Sequence, residues 1–344
     1  MKIWFNQSFS LRNVIANMVA ARPGLDIAVS TIDGDAPVRD VAPDFWVEPA
    51  RGATDYVEWA LATAIDRGVT HLVAGRGRTG IAAQRERFAA AGIALHVAAD
   101  AATLDLLDDK AAFTVSLGDD PHRCPSIAVT TADGFDAAVA TLTRGGRAAC
   151  VKPVRGVYGA GYWTLDGATP LAHLADPDAR RIAPALYVDA LRHAEVQGET
   201  FALLVMEHLP GLEASVDIVA DHGRVLLAAV RTKLDPNRQR IETRHPLIAH
   251  ATMLVARHAL HGALNVQYKQ DAAGQWRILE INSRAAGGAS YGDAVGIPFC
   301  ATWIDVVTGT AQAFDGAIDA QVVAVVHATP RAQQKSGTPS NPRQ

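Results

Sequence analysis

Three short segments carry side chains that could do chemistry. In residues 264–282, two strand-like runs meet through Ala-Ala-Gly, and side chains alternate faces along a strand. Glu280 and Asn282 therefore share a face. A turn centred on Ala273-Gly274 sets Gln267 opposite Glu280 and Asn265 opposite Asn282, and a one-residue bulge would spoil that register. Oxygen donors of low total charge suit Mg²⁺, which one or two carboxylates usually hold together with substrate phosphates and water. Arg284 points to the same side and could hold an anion bidentately. The following Ala-Ala-Gly-Gly (285–288) lets a backbone approach a ligand closely. A polar hairpin face in solvent would show the same pattern.

The second segment is CVKPVRGVYGAG, where Lys152 ends an apolar strand beside Gly156, Gly159 and Gly161. Backbone N–H groups of such a loop can cradle phosphate oxygens while the ammonium supplies charge. The G-K-[ST] of a Walker A loop is missing, and an ordinary hairpin loop remains the alternative. In the third, MEHLPGLEASVD (206–217), an apolar strand runs into Glu207, a Pro-Gly turn, then Glu213 and Asp217. Acids beside a hinge could bind a ribose, or could simply flank a solvated turn. A fourth stretch, GRGRTG (75–80), matches the dinucleotide fingerprint, and Asp100 lies about twenty residues on. It does not follow the first strand, however, and Arg76 and Arg78 would crowd a pyrophosphate. It reads better as a loop at the C-terminal edge of a sheet. The basic run 231–244 could recognise an anionic substrate, with Arg231 and Lys233 on one strand face. His258 and His261 sit three apart near a helix end, as metal ligands might, but with no third partner nearby in the sequence they read as cations favoured by the helix dipole. Cys150 reads as buried core.

These segments need elements to hold them. The first 110 residues alternate strands (2–6, 25–32, 45–49, 70–75, 93–98) with helices (10–21, 54–67, 81–91), the rhythm of βαβ units and a doubly wound parallel sheet. From 111 to 206, strands 126–131 and 148–153 flank a helix at 133–143. A helix at 184–195 then precedes the strand 201–209. Beyond 207 strands dominate (213–221, 223–233, 264–271, 275–282), with a helix over 246–260, two more helices and a last strand at 321–328. The tail, 330–344, reads as disordered.

The chain has 344 residues and a net charge of −4, without the basic stripe of a nucleic-acid binder. A 49% hydrophobic share argues against wholesale disorder. No apolar run approaches the ~20 residues of a spanning helix, and the N-terminus has no signal-peptide core, so the cytoplasm is the expected location. The 3 cysteines form no C-x-x-C pair. Lysine is scarce: Lys2, Lys110, Lys152, Lys233, Lys269 and Lys335 are all there are among 32 cationic side chains.

In this order and spacing, the segments resemble the ATP-grasp superfamily over residues 2–328. The nearest patterns are carbamoyl-phosphate-synthetase-like and biotin-carboxylase-like, with features similar to a branch linked to tellurite-resistance gene clusters. Asp109-Lys110 resembles the D-K that ends the family's preceding domain. Val151-Lys152-Pro153 before a glycine lid, GALNVQ (262–267) and EINSR (280–284) look like its remaining motifs. The resemblance implies a mixed α/β and α+β chain: a parallel pre-ATP-grasp domain (1–110), a lid subdomain (111–206) and a C-terminal subdomain with the nucleotide and metal site (207–329). It further implies that Lys110 and Lys152 contact ATP phosphates and that Gly156, Gly159 and Gly161 form a mobile lid. Glu207, His208 and Leu209 would form the adenine hinge, with Glu213 on the ribose. Gln267, Glu280 and Asn282 would carry Mg²⁺ or Mn²⁺, and Arg284, with Arg231 and Lys233, would attend the reacting groups. Many members place a carboxylate where Gln267 stands, which puts metal stoichiometry in question.

The implied activity is an ATP-dependent ligase that activates a carboxylate as an acyl phosphate and couples it to an amine or thiol. Such a site needs positioning and charge neutralisation more than a protein nucleophile. The partners expected are small molecules, with no nucleic acid or membrane, and a homodimer through the N-terminal domain. The alternatives are a nicotinamide-dependent oxidoreductase using GRGRTG and an ATP-binding regulatory protein without turnover.

Overall fold

Alternate residues of β1 (Lys2–Phe5) enter different cores. Ile3 and Phe5 join one apolar cluster, which also holds Val14, Ile15 and Met18 of the helix Arg12–Ala21 and Trp303 and Ile304 of the helix Phe299–Thr308. Trp4 turns the other way, to Trp46, Leu72, Ile81 and Phe88. A strand buried on both faces is what a parallel sheet with helices on either side requires. The computed structural model of the protein describes residues 1–324, apart from positions 9, 157, 158 and 168. In it β1 pairs in parallel with β2 (Asp26–Thr31), which pairs with β3 (Asp44–Val47). On its other side it meets β4 (His71–Val73), followed by β5 (Ala94–His96). The order β3-β2-β1-β4-β5 is the doubly wound sheet expected.

The second sheet comprises β6 (Ser126–Val129), β7 (Ala149–Pro153), β8 (Trp163–Leu165), β9 (Arg181–Ile182) and β10 (Leu203–Glu207), in the order β6-β10-β7-β8-β9. The third is antiparallel: β11 (Glu213–Asp221), β12 (Arg224–Lys233), β13 (Arg238–Glu242), β14 (Gly262–Gln270), β15 (Trp276–Asn282) and β16 (Gln321–Ala324), in the order β15-β14-β11-β12-β13-β16. Its strands alternate strictly near the middle. Ala214, Val216 and Ile218 of β11 pack with Leu247, Ala251 and Leu254 of the helix Leu247–Arg257. Glu213, Ser215 and Asp217 necessarily face the other way, towards the second sheet.

Two expectations are corrected. The single helix over 81–91 is two short helices, Arg78–Ala83 and Arg85–Ala90, separated at Gln84, whose φ of −106° leaves the helical range. The first begins early because Gly77, with φ of 65°, turns the chain into it. The last four positions of the strand drawn over 321–328, and the tail drawn as disordered over 330–344, lie outside the described residues. Among the described residues, no helix is long and apolar enough to cross a membrane.

Candidate active site

The β14–β15 hairpin brings the oxygen donors together. Gln267 pairs with Glu280 and Asn265 with Asn282, as the alternation requires. The register does shift, between Gln267 and Tyr268, so the hairpin carries a bulge at Leu279. The bulge lies between the turn and the donors. The turn centres on Ala273 and not on Ala273-Gly274 as expected, since Gln270 pairs with Trp276; the bulge restores the expected pairing by bringing Gln267 opposite Glu280, and it turns Leu279 to the same cavity as Glu280 and Asn282. Asn282 donates from Nδ2 to Glu280 Oε1 at 3.0 Å, so its amide oxygen is the atom left for a ligand.

Lys110 and Lys152 meet this patch from two other elements. Asp109 caps the helix Lys110–Ser116 by accepting from the N–H groups of Ala111 and Ala112, and Lys110 occupies its first position. The Lys110 ammonium lies 3.5 Å from Glu280 Oε2 and donates to the Gly156 carbonyl at 2.8 Å, holding the glycine loop down. Lys152 projects from β7, across the cavity. Burial pushes its pKa down, the neighbouring Lys110 adds to that, and Glu280 opposes it. Among the described residues, no hydrogen bond or ion pair holds its ammonium.

One end of this cavity, whose volume is about 600 Å³, is apolar: Cys150, Met206, Leu209 and Leu279 line it. Burial raises the Cys150 thiol to about 11, so it is inert core and not a nucleophile. At the hinge, the Glu207 and His208 N–H groups are spent on Pro125 and Ala148 carbonyls. Among the described residues, the Glu207 carbonyl meets only the weak thiol donors of Cys124 and Cys150, at 3.9 and 3.8 Å. Tyr162, just after the glycine loop, bonds His208 Nδ1 at 3.1 Å. Glu213 is not free: Lys233 donates to it at 2.6 Å. Gly159 and Gly161 have φ of 66° and 72°, and a Cβ on Gly161 would come within 2.6 Å of Pro153.

Arg231 is held more tightly than its sequence position suggested. Its Nε and Nη2 grip Asp217 at 2.9 and 3.3 Å, and its Nη1 donates to Gln239 at 2.8 Å, with both charged side chains buried. It lines the cavity as a fixed wall, and the close approach at Gly288 is made by this guanidinium, 3.0 Å from where a Cβ would stand. Of the basic run, only Arg231 and Lys233 reach the cavity. Arg238, Arg240 and Arg244 pair instead with Asp235, Glu242 and Asp319.

A second cavity of about 460 Å³ opens beside the N-terminal sheet, lined by Asn6, Arg76, Arg78 and Arg155 among others. The two cavities share Lys110, Gly156, Glu280, Asn282 and Arg284. GRGRTG supplies a wall here, and its glycines are spent on packing. A Cβ on Gly75 would meet the Asn6 carbonyl at 2.7 Å, and one on Gly77 would meet the Tyr56 ring at 2.6 Å. Arg76 pairs with buried Glu48 and Arg78 with Asp108.

Sequence reasoning missed Asn6, whose side-chain oxygen accepts from the N–H groups of Gly75 and Arg76. Its only signal was its place just beyond the first parallel strand. It also mistook the histidines. His258 caps the helix and His261 precedes β14 by one residue, but burial pushes both pKa values down, His261 to about 4, so neither is a cation at neutral pH.

Residues 199–329 match a protein-family model described as ATP-grasp in the biosynthetic pathway with Ter operon. No curated protein sequence matches the chain. Among solved structures it is similar to N5-carboxyaminoimidazole synthetase from Staphylococcus aureus complexed with ADP (TM-score 0.65, 16% identity, 93% of this chain and 81% of that one). It is also similar to L-amino acid ligase from Bacillus licheniformis (0.59, 14%, 89% and 74%). A third is the biotin carboxylase domain dimer of Hydrogenobacter thermophilus 2-oxoglutarate carboxylase, with MgADP, ADP and bicarbonate (0.60, 14%, 92% and 71%). At these identities the likeness is one of fold.

Proposed function

We propose that this chain, a member of the ATP-grasp superfamily, is an ADP-forming carboxylate–amine ligase whose two substrates meet at Lys110, Glu280, Asn282 and Arg284. The observation that carries the reading is the junction of the two cavities at those residues and Gly156. One cavity has an apolar end and a cationic end, which suits a nucleotide. The other is walled by arginines, which suits an anionic partner. A γ-phosphate laid at the junction would face both.

In this reading the apolar end takes the adenine, with the Glu207 carbonyl and the Leu209 N–H at its edge. Glu213 takes the ribose and must exchange its Lys233 partner for a hydroxyl. Lys152 and Lys110 neutralise phosphate charge, and closure of the Gly156–Gly161 loop excludes water. The donor set fits Mg²⁺: all oxygen, one carboxylate, and an Asn282 amide oriented by Glu280. Gln267, Glu280 and Asn282 would hold the ion, which would supply Lewis-acid charge neutralisation at the phosphates. A carboxylate held by the arginine wall attacks the γ-phosphorus, releasing ADP and forming an acyl phosphate. Arg284 stabilises the charge that develops on the transferred group. An amine, or a thiol, then displaces phosphate from the acyl carbon.

The test is ADP release from ATP and Mg²⁺ across a panel of carboxylates and amines, with ¹⁸O in the carboxylate. The reading expects release that depends on a carboxylate, and ¹⁸O in the inorganic phosphate. Label absent from the phosphate excludes the acyl phosphate. ATP binding without turnover across the panel supports a regulatory binder, and NADH binding would support the oxidoreductase.

A further inference from the structure

A second constellation lies outside the nucleotide cavity, and two of its histidines, His96 and His261, line the other cavity. β11 and β12 join through His222-Gly223, and both turn residues have positive φ, 46° and 89°. Such two-residue turns favour Asn, Asp or Gly at the first position. A histidine held in the left-handed region calls for an explanation. The turn is pinned to the loop after the helix Leu247–Arg257. Gly223 N–H donates to the Leu260 carbonyl at 2.7 Å, and a Cβ on Gly223 would come within 3.3 Å of Ala259 Cα. The next residue of that loop, His261, donates its N–H to Ala98 at 2.8 Å, joining it to the end of the N-terminal sheet.

This packing stacks four of the chain's 12 histidines. His222 and His261 have ring centroids 4.2 Å apart, His261 and His96 5.8 Å, and His96 and His71 5.6 Å. Asp221 stands beside the outer pair, its Oδ1 2.8 Å from His222 Nδ1 and 3.5 Å from His261 Nδ1. Buried imidazole nitrogens normally find partners. Here His261 Nδ1 and both nitrogens of His96 are buried with no hydrogen bond.

We propose that Asp221, His222 and His261 form a binding site for a divalent transition metal of the zinc class. One potential ligand atom from each lies within 4.8 Å of the others. A tetrahedral ion with ligands at ~2.0–2.1 Å sets them about 3.4 Å apart, and the observed separations of 2.8 and 3.5 Å bracket that value. Two imidazoles with one carboxylate select zinc-like ions over Mg²⁺ or Ca²⁺, which take oxygen ligands. His222, with 77% of its side chain exposed, gives the ion an entry path and leaves a fourth position for water. The ion would clip the β11–β12 turn to the start of β14, which carries Asn265 and Gln267 into the cleft. The site shares no ligand with the Mg²⁺ reading and does not rest on it.

The experiment uses the untagged full chain, stripped with chelator and titrated with Co²⁺ and Zn²⁺. Cobalt should give the visible absorption of a tetrahedral site at one equivalent, displaced by zinc, and zinc should raise Tm. His222→Asn, which keeps a residue suited to the turn, and His261→Ala should each weaken binding roughly 100-fold or more. His258→Ala and Glu280→Gln should bind as the unmodified chain does. Cobalt binding without the tetrahedral spectrum, or binding that survives His222→Asn and His261→Ala, overturns the proposal, as does loss of binding in His258→Ala.

Discussion

Glu280→Gln is the sharpest probe of the cleft, because it exchanges one oxygen for an NH₂ of the same size. The Glu280 carboxylate lies 3.5 Å from the Lys110 ammonium, with the two side chains 24% and 11% exposed. At an effective dielectric of about 20, that separation corresponds to about 5 kcal/mol of gross attraction. Solvation offsets most of it. The net cost of breaking the pair should fall between the ~0.5 kcal/mol of exposed pairs and the 3–5 kcal/mol of buried ones, at about 2 kcal/mol. Two ammoniums, Lys110 and Lys152, then share a cavity with no carboxylate between them, and Tm should fall by a few degrees. The functional loss should be far larger. Glu280 is the one carboxylate among the three proposed Mg²⁺ donors, so ADP release should drop by about 10²–10³-fold or more. The paired assays are thermal unfolding and coupled ADP release at saturating ATP. Turnover within about threefold of the unmodified chain would refute the assignment, however Tm moves, because an amide cannot replace the only negative ligand.

Lys152→Met should abolish ATP binding by calorimetry without lowering Tm, since burial already disfavours the charge it removes; a marked fall in Tm would show that the ammonium supports the fold. Asp217→Asn strands the buried Arg231 guanidinium and should cost about 3–5 kcal/mol in denaturant unfolding, and unfolding at the unmodified midpoint would contradict the clasp. His250 donates from Nε2 to Asp120 at 2.8 Å and accepts from the Tyr268 hydroxyl at Nδ1, 2.7 Å away. Burial lowers its pKa, so the folded state binds its proton less readily than the unfolded chain does. Its contribution to stability should be complete above the unfolded value of about 6.5 and fade as pH falls below it. His250→Phe should flatten that part of the pH–stability curve, and an unchanged slope would count against a neutral His250.

Local alternation was legible in residues 262–282 and puts Glu280 and Asn282 on one face, but the pairing of Gln267 with Glu280 also takes the bulge. The bulge at Leu279 was not legible, because a backbone irregularity near a turn leaves no mark in a period-two pattern. The parallel N-terminal sheet was legible from strand–helix rhythm. The break at Gln84 was not, because both sides of it are good helix formers. The meeting of Lys110, Lys152 and Glu280 came from motif order and resemblance, since no spacing rule spans such separations. The clasp of Arg231 on Asp217 and the stack of His222 on His261 depend on which strands become neighbours. Asp217, read as an acid beside a hinge, is the partner of a residue on the next strand. Of the histidines three apart at the helix end, His261 meets the one in the hairpin turn, a neighbour that sequence spacing could not supply.

The central claim is tested most directly by calorimetric titration of ATP into the full chain with and without Mg²⁺. The account predicts one site whose affinity rises with Mg²⁺ and disappears in Lys152→Met. An absence of binding heat in both conditions at several temperatures, or binding that Lys152→Met leaves intact, would contradict it.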